Sequence, residues 1–129
     1  MKLLTISCVL LCCVPGLASA RPKNQAVAPG QPTIVARYYT WNDDCSARVG
    51  IATALSKPQH GTISKQFVSW QIGASRRKGG RVDQCFGRPI EALAVVYKSQ
   101  PGFHGIDHFV FDVNYAGYRE TDTFTISVQ

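Results

Sequence analysis

Large apolar residues recur at every second position near the C-terminal end of this chain. The residues at 109, 111, 113 and 115 are aromatic or valine, and after a turn at Ala116-Gly117 those at 124, 126 and 128 are again large and apolar. Side chains of a β-strand point alternately to the two faces of a sheet, so this pattern predicts two paired strands with one buried face. A two-stranded hairpin is therefore expected at the end of the chain.

Further segments are rich in β-branched and aromatic residues and are separated by turn-forming residues; they are 33–41, 48–55, 62–72 and 92–97. In the second of them, Val49, Ile51, Thr53 and Leu55 fall on one side, which we expect to be its buried face. No sustained helical period follows residue 20. Six or seven short strands in this arrangement predict an all-β domain, either a sandwich or a barrel, and we expect a sandwich.

The first twenty residues differ from the rest of the chain. A positive charge at Lys2 precedes an apolar run over 3–14, and Pro15-Gly16 is followed by the small residues Ala18-Ser19-Ala20. This order is typical of a secretory signal peptide that is cleaved before Arg21. A membrane anchor is the alternative, but the run is about a dozen residues long, whereas a bilayer span needs about 20. We therefore expect a periplasmic or secreted protein with no membrane span in the mature chain.

Two parts are expected after the signal peptide of residues 1–20. Residues 21–32 contain three prolines and few large apolar residues, which predicts a flexible N-terminal leader. Residues 33–129 carry all the predicted strands and have the length of one domain.

The cysteines also divide at residue 20. Three of the five lie in the predicted signal peptide, so only Cys45 and Cys85 remain in the mature chain. An even pair in an exported protein predicts a disulfide, and its closed loop of about 41 residues corresponds to about 4 kcal/mol of loop-closure entropy. Free thiols or a zinc site are the alternatives, although no C-x-x-C pair supplies further ligands. A lipid anchor is disfavoured because Val9-Leu10-Leu11, rather than small residues, precede Cys12.

Positive charge is concentrated in one glycine-containing segment. After residue 20 the chain has 13 Lys and Arg against 8 Asp and Glu, and the concentrated cations are Arg76, Arg77, Lys78 and Arg81, with Arg88 nearby. We predict an exposed basic loop, pinned by the disulfide, that binds phosphate or carboxylate groups. A solvated loop without a ligand is an equally open interpretation. The loop has no aromatic residue for base stacking, so no nucleic-acid partner is expected.

Two segments contain turn residues at fixed spacings: Pro58-Gln59-His60-Gly61-Thr62-Ile63 and residues 97–113. The first is similar to the P-x-x-G-T-[VI] turn of bacterial Ig-like and cadherin-like repeat modules. The second is similar to their signature Y-x-P-x-x-G-F-x-G-x-D-x-F-x-[YF]-x-V, and residues 123–128 resemble their final strand. Ser99 stands where these modules have a proline, and this chain has one copy rather than a tandem array. The resemblance implies an immunoglobulin-like antiparallel β-sandwich over 33–129 and carries no function across.

Structural roles are predicted for four residues in the second segment. Gly102 and Gly105 permit backbone angles that other residues avoid, and Phe103 is expected to close one end of the core. Asp107 is expected to accept hydrogen bonds from turn amides. Calcium binding by Asp107 or Asp112 is the functional alternative, but the sequence lacks the acidic linker motifs that would complete a calcium site.

No residue pattern is typical of an active site. His104 and His108 are spaced as metal ligands on a helix would be, but they lie in a predicted loop and strand, and His60 is distant in sequence. Cys85 could act as a nucleophile only if it were free. We expect a protein that is not an enzyme and has no metal and no cofactor.

These features indicate an exported, non-catalytic binding or structural module of the cell envelope. Its expected partner is an anionic envelope polymer or another protein. The alternative is a secreted inhibitor or effector that docks on a target through the basic, disulfide-anchored loop. A small hydrolase would require a free Cys85 or a metal bound by the histidines. The sequence indicates no oligomeric state.

Overall fold

Seven β-strands form the regular structure of the described residues, which are 20–73 and 83–129 of a computed structural model. They are β1 (Arg21–Val27), β2 (Thr33–Tyr38), β3 (Ile51–Ser56), β4 (Gly61–Gln71), β5 (Pro89–Ser99), β6 (Gly105–Tyr115) and β7 (Tyr118–Val128). The all-β prediction is confirmed. Residues 1–19 of the predicted signal peptide lie outside the described residues, as do four predicted loop cations: Arg76, Arg77, Lys78 and Arg81.

The strands form two sheets with the orders β1-β7-β6-β3 and β2-β5-β4. All neighbours are antiparallel except β1 and β7, which run parallel. One core contains inward-facing residues of both sheets, including Val35, Val95 and Tyr97 from one and Phe109, Phe124 from the other. Two sheets that share a core in this way have the arrangement of a β-sandwich.

The C-terminal hairpin predicted from the alternating pattern is confirmed. β6 pairs with β7 from Gly105 opposite Val128 to Tyr115 opposite Tyr118. The rings of Phe109 and Phe124 stack with centroids 4.4 Å apart in the centre of the core. Burial of side chains of this size stabilises a fold by about 1.5–3 kcal/mol each.

The flexible leader predicted over 21–32 is wrong for most of its length. Arg21–Val27 forms β1, pairs with β7 along its whole length, and buries Val27 in the core. This strand lies at the edge of its sheet, where a proline such as Pro22 is tolerated because only one side of the strand is paired. Its pairing partner is about 100 residues away in sequence, so no local pattern marked it.

The buried face predicted for the segment 48–55 is also wrong. Val49 and Ile51 are 82% and 75% exposed, whereas the small residues Ala52 and Ala54 face the core opposite Val113 and Phe111. The large side chains of β6 fill the space between the sheets at this edge, so β3 packs there through methyl groups. The larger side chains of β3 consequently point away from the core.

The sandwich has two ends. At the disulfide end, β2 and β4 finish and β3 and β5 begin, and the turn between β6 and β7 lies at the same end. At the opposite end, which we call the Asp107 end, short turns join β3 to β4 and β5 to β6. Within the described ranges, no helix has the length and hydrophobicity needed to cross a membrane.

Candidate functional site

Exposed large hydrophobic side chains are unevenly distributed over the described residues. Six of the eight lie in the half of the sandwich that carries the disulfide: Val49, Ile51, Phe67, Trp70, Phe86 and Tyr118. Leu55 and Ile106 are the other two. Of the six at the disulfide end, Trp70 and Phe86 line one common groove, and exposed apolar side chains that form one patch mark a binding surface more often than scattered ones do.

The disulfide predicted between Cys45 and Cys85 is confirmed, with the two Cα atoms 5.3 Å apart. It joins the segment between β2 and β3 to the segment that precedes β5. Around it lies a second, small core in which Ile72, Cys85 and Ile90 are buried and Tyr39, Trp41 and Cys45 pack against them. The described segments around Cys45 and Cys85 are therefore held by both a covalent bond and apolar contacts.

Backbone hydrogen bonds fix the residues on both sides of Cys85. The amide of Ile72 donates to the carbonyl of Arg88 and the amide of Gly87 donates to the carbonyl of Ile72, each at 2.9 Å. The amide of Phe86 donates to the Asp83 carbonyl at 3.0 Å. Phe86 nevertheless has its side chain 52% exposed, so an apolar ring projects into solvent from a well-fixed backbone.

A groove of about 640 Å³ runs around the end of β4 beside this segment. We call it the β4-end groove; its lining residues are Tyr39, Ser69, Trp70, Gln71, Ile72, Gly73, Phe86, Gly87 and Pro89. Three aromatic rings from separate parts of the chain therefore meet in one concave surface. Concave surfaces lined mainly by apolar groups with a few polar ones are typical of ligand sites.

Two arginines lie beside the β4-end groove. The guanidinium of Arg37, on β2, lies 4.2 Å from the ring centroid of Trp70, a cation–π contact. Arg88, which the sequence analysis included in the basic loop, is exposed between Gly87 and Pro89 of the groove lining. Neither arginine forms an ion pair with a carboxylate of the described residues.

A smaller groove of about 200 Å³ lies between the edge strands β3 and β4. Its walls include core residues such as Tyr38, Val113 and Tyr115. The Lys65 ammonium crosses from β4 and donates to the carbonyl of Ala52 on β3 at 3.0 Å. This groove is thus a partly bridged gap between the two sheets, and it offers less space than the β4-end groove.

The Asp107 end is organised around one buried carboxylate. Asp107 is 2% exposed and accepts hydrogen bonds from the backbone amides of Gln59 and His60 at 2.9 and 3.0 Å. The Tyr97 hydroxyl also donates to it at 2.9 Å. Burial alone would raise the pKa of Asp107, but these donors and the His108 amide outweigh it and hold the pKa below its usual value.

The other predicted turn residues lie around the same carboxylate. Gly102 and Gly105 have positive φ angles of 77° and 140°, which L side chains rarely adopt. Phe103 packs against the core, and its ring stacks on that of His60 with centroids 4.3 Å apart. The two segments that carried the family resemblance therefore form one structural unit, which lies at the opposite end of the sandwich from Arg88.

Three further carboxylates of the described residues are buried, and each has a partner within the fold. Asp83 accepts from the Cys85 amide at 2.8 Å. Asp112 accepts from Arg119 Nε at 2.8 Å, and this hydrogen bond is the main cause of its lowered pKa. Asp122 accepts from the Tyr38 hydroxyl at 2.7 Å and from Arg21 Nε at 3.0 Å. Across residues 20–73 and 83–129, no three His, Cys, Asp or Glu side chains are grouped so that they could hold a metal ion.

Sequence reasoning assigned no role to the residues that build the β4-end groove. A signal was present, because Phe86 directly follows a disulfide cysteine and Trp70 lies three residues before Gly73, the start of the glycine-containing segment. Both positions flank the segment that was predicted to bind. An aromatic residue beside a predicted binding loop is a reason to include it in the site.

Comparisons with known proteins gave no relative of this chain: no protein-family model, no curated protein and no solved structure matches it.

Proposed function

We propose that this protein is an exported, non-catalytic binding module of the cell envelope, with an immunoglobulin-like fold, and that its disulfide end is the recognition surface. The observation that carries this proposal is the groove at that end, in which the exposed rings of Trp70 and Phe86 meet the ring of Tyr39. The rings there are presented by segments that a disulfide and a small core hold in place. Such fixed aromatic groups contribute strongly to binding because little conformational entropy is lost when a partner binds.

The strand order supports the immunoglobulin-like part of the proposal. In immunoglobulin domains, strands B, E and D are neighbours in one sheet and strands G, F and C in the other. The orders β2-β5-β4 and β7-β6-β3 correspond to these two sets. The signal peptide of residues 1–20 is part of the same proposal, and a disulfide is a bond that persists in exported proteins.

The absence of catalysis is proposed from how the buried ionisable groups are used. Asp107, Asp112 and Asp122 are each occupied by hydrogen-bond donors of the fold. Cys85 is oxidised in the disulfide and is therefore not a nucleophile.

The test compares two exposed apolar residues at opposite ends of the sandwich. Phe86 is 52% exposed at the disulfide end and Ile106 is 51% exposed at the Asp107 end, so Phe86→Ser and Ile106→Ser remove similar exposed surfaces. The processed chain starting at Arg21 would be titrated against a cell-envelope fraction, lipopolysaccharide and peptidoglycan. We expect binding that Phe86→Ser weakens at least tenfold and Ile106→Ser leaves unchanged. Equal binding by both variants, or no binding to any of these, would contradict the proposal.

A secreted inhibitor or effector is the second candidate, and the distribution of charge favours it. Residues 74–82 contain four cations and no carboxylate, whereas the other residues after position 20 contain nine cations and eight carboxylates. A segment with this charge suits an acidic site on a target. Changing its cations together to Ser tests this candidate: binding that is lost in this variant but retained in Phe86→Ser would favour the effector function.

A further inference from the structure

The β4-end groove combines ring faces with groups that bind hydroxyls. Tyr39, Trp70 and Phe86 supply aromatic surface, and Ser69 and Gln71 supply a hydroxyl and an amide. A sugar ring presents both an apolar C–H face, which packs on an aromatic ring, and an edge of hydroxyl groups, which forms hydrogen bonds with amides and hydroxyls. A chain of sugars therefore matches the combination of aromatic rings, a hydroxyl and an amide in this groove better than a purely apolar ligand does.

The arginines beside the groove are free to take an anion. Arg21 and Arg119 pair with carboxylates of the fold at 3.0 and 2.8 Å, but Arg37 and Arg88 pair with none in the part of the chain that the structure describes. The stacking contact covers one face of the Arg37 guanidinium and one face of the Trp70 ring, and Arg37 is exposed. The N–H edge of a guanidinium can donate two parallel hydrogen bonds to a carboxylate, sulfate or phosphate group.

The backbone around the groove is already fixed without a ligand. The disulfide, the hydrogen bonds between Ile72 and residues 87–88, and the hydrogen bond from the Cys85 amide to Asp83 Oδ1 at 2.8 Å hold the segment that bears Phe86 and Arg88. Trp70 and Arg37 are on strands β4 and β2, which both pair with β5. A ligand would therefore meet Trp70 and Phe86 on backbone that is held in place, which reduces the entropy lost on binding.

From these observations we infer that the β4-end groove binds an anionic glycan chain, whose sugar rings pack on Phe86 and on the face of Trp70 away from Arg37, and whose acidic groups pair with Arg37 and Arg88. The inference rests on the proposed binding function and names the ligand class of its recognition surface. Among the described residues two arginines lie beside the groove, which suits a polymer with one acidic group per sugar, whereas a polynucleotide needs a longer series of cations along its backbone.

The experiment uses polygalacturonate as the probe and its methyl ester as a matched neutral glycan. Binding to the processed chain would be measured at physiological salt by calorimetry and by tryptophan fluorescence. We expect polygalacturonate to bind at least tenfold more tightly than the methyl ester. Trp70→Ala and Phe86→Ser should each weaken binding at least tenfold, and Ile106→Ser should not change it. Arg37→Gln should remove most of the preference for the acid over the ester.

Two polymer controls test the ligand class. Poly-L-glutamate carries carboxylates without sugar rings, and oligothymidylate carries phosphates with stacking bases. Polyglutamate that binds as tightly as polygalacturonate would overturn the inference in favour of simple charge attraction, and tighter oligothymidylate binding would overturn it in favour of nucleic acid. If none of the glycans binds while the envelope fraction still binds and is sensitive to Phe86→Ser, the glycan inference fails and the proposed function stands.

Discussion

The two ends of the sandwich are closed by different means. At the Asp107 end, one buried carboxylate joins the turn before β4, the end of β5 and the start of β6 through hydrogen bonds. At the disulfide end, a covalent bond and a small apolar core join the segments, and aromatic rings remain exposed around them. The first end uses its polar group internally, whereas the second leaves ring surface and two arginines for a partner.

This difference separates residues that make the fold from residues that can bind. The segments that resemble Ig-like and cadherin-like modules converge on Asp107, and their side chains are occupied there. The residues of the β4-end groove belong to no part of that resemblance. The family likeness is therefore carried by residues that build the architecture of the Asp107 end.

Loss of the disulfide is expected to have the largest effect on stability. Replacing both Cys45 and Cys85 with Ala should lower the free energy of unfolding by about 4 kcal/mol, because the unfolded chain regains the freedom of a loop of about 41 residues. Urea denaturation followed by fluorescence measures this change. A loss below about 1 kcal/mol would show that apolar packing around Ile72 and Ile90 suffices to hold this end.

Asp107→Asn should have the next largest effect and lower the free energy of unfolding by about 3 kcal/mol, because an amide cannot accept from all the donors that face the buried carboxylate. Asp44→Asn is the matched control at the disulfide end, since Asp44 is exposed and accepts from the amide and hydroxyl of its near neighbour Ser46. We expect no large change in that variant. Equal midpoints of urea unfolding for Asp107→Asn and the native chain would contradict the role assigned to Asp107.

Gly61→Ala is expected to destabilise the Asp107 end by about 2 kcal/mol through overpacking. A Cβ atom at Gly61 would lie 2.6 Å from the carbonyl oxygen of Lys98, which is backbone and cannot move aside easily. Gly117→Ala, in the turn at the disulfide end, is the control: its φ is +83° but no atom lies within 4 Å of the added carbon. Calorimetric unfolding should show a smaller shift for Gly117→Ala than for Gly61→Ala.

The loss of stability on acidification that Asp107 and Asp112 cause should be the smallest of these four effects. The folded-state pKa of Asp107 and that of Asp112 are below the ordinary value, so the stability that these groups contribute is fully present above about pH 4. It is lost as the pH falls through their folded-state pKa values. Urea unfolding at pH 7 and pH 3 measures the loss, which should be smaller in Asp107→Asn. An unchanged loss in that variant would assign the acid sensitivity to other carboxylates.

The sequence allowed prediction of those parts of the fold that local patterns encode. The hairpin of β6 and β7 was predictable because its residues alternate strictly between core and solvent, and the disulfide was predictable because only two cysteines follow residue 20. β1 could not be predicted from a local pattern, because Lys23, Asn24 and Gln25 form a strand by pairing with β7 at the other end of the chain.

The face of β3 and the groove depend on neighbours that a local pattern does not contain. The alternation of large and small residues in β3 predicted that Ile51 faces the core. Whether a large side chain fits there depends on Val113 and Phe111 of the neighbouring strand β6. The β4-end groove likewise requires Tyr39, Trp70 and Phe86, from three separate segments, to meet. The basic segment around Arg76 stays a prediction from sequence.

The parallel pairing of β1 with β7 determines how the domain can be tethered. Because the two strands run in the same direction, the chain enters the sandwich at Arg21, beside Asp122 near the middle of β7, and leaves it after Val128 at the Asp107 end. A fusion or surface attachment placed after Gln129 would hold the domain with its groove directed outward. An extension before Arg21 would run from the middle of β7 toward the disulfide end, so attachment through the C-terminus is the orientation that keeps the β4-end groove accessible.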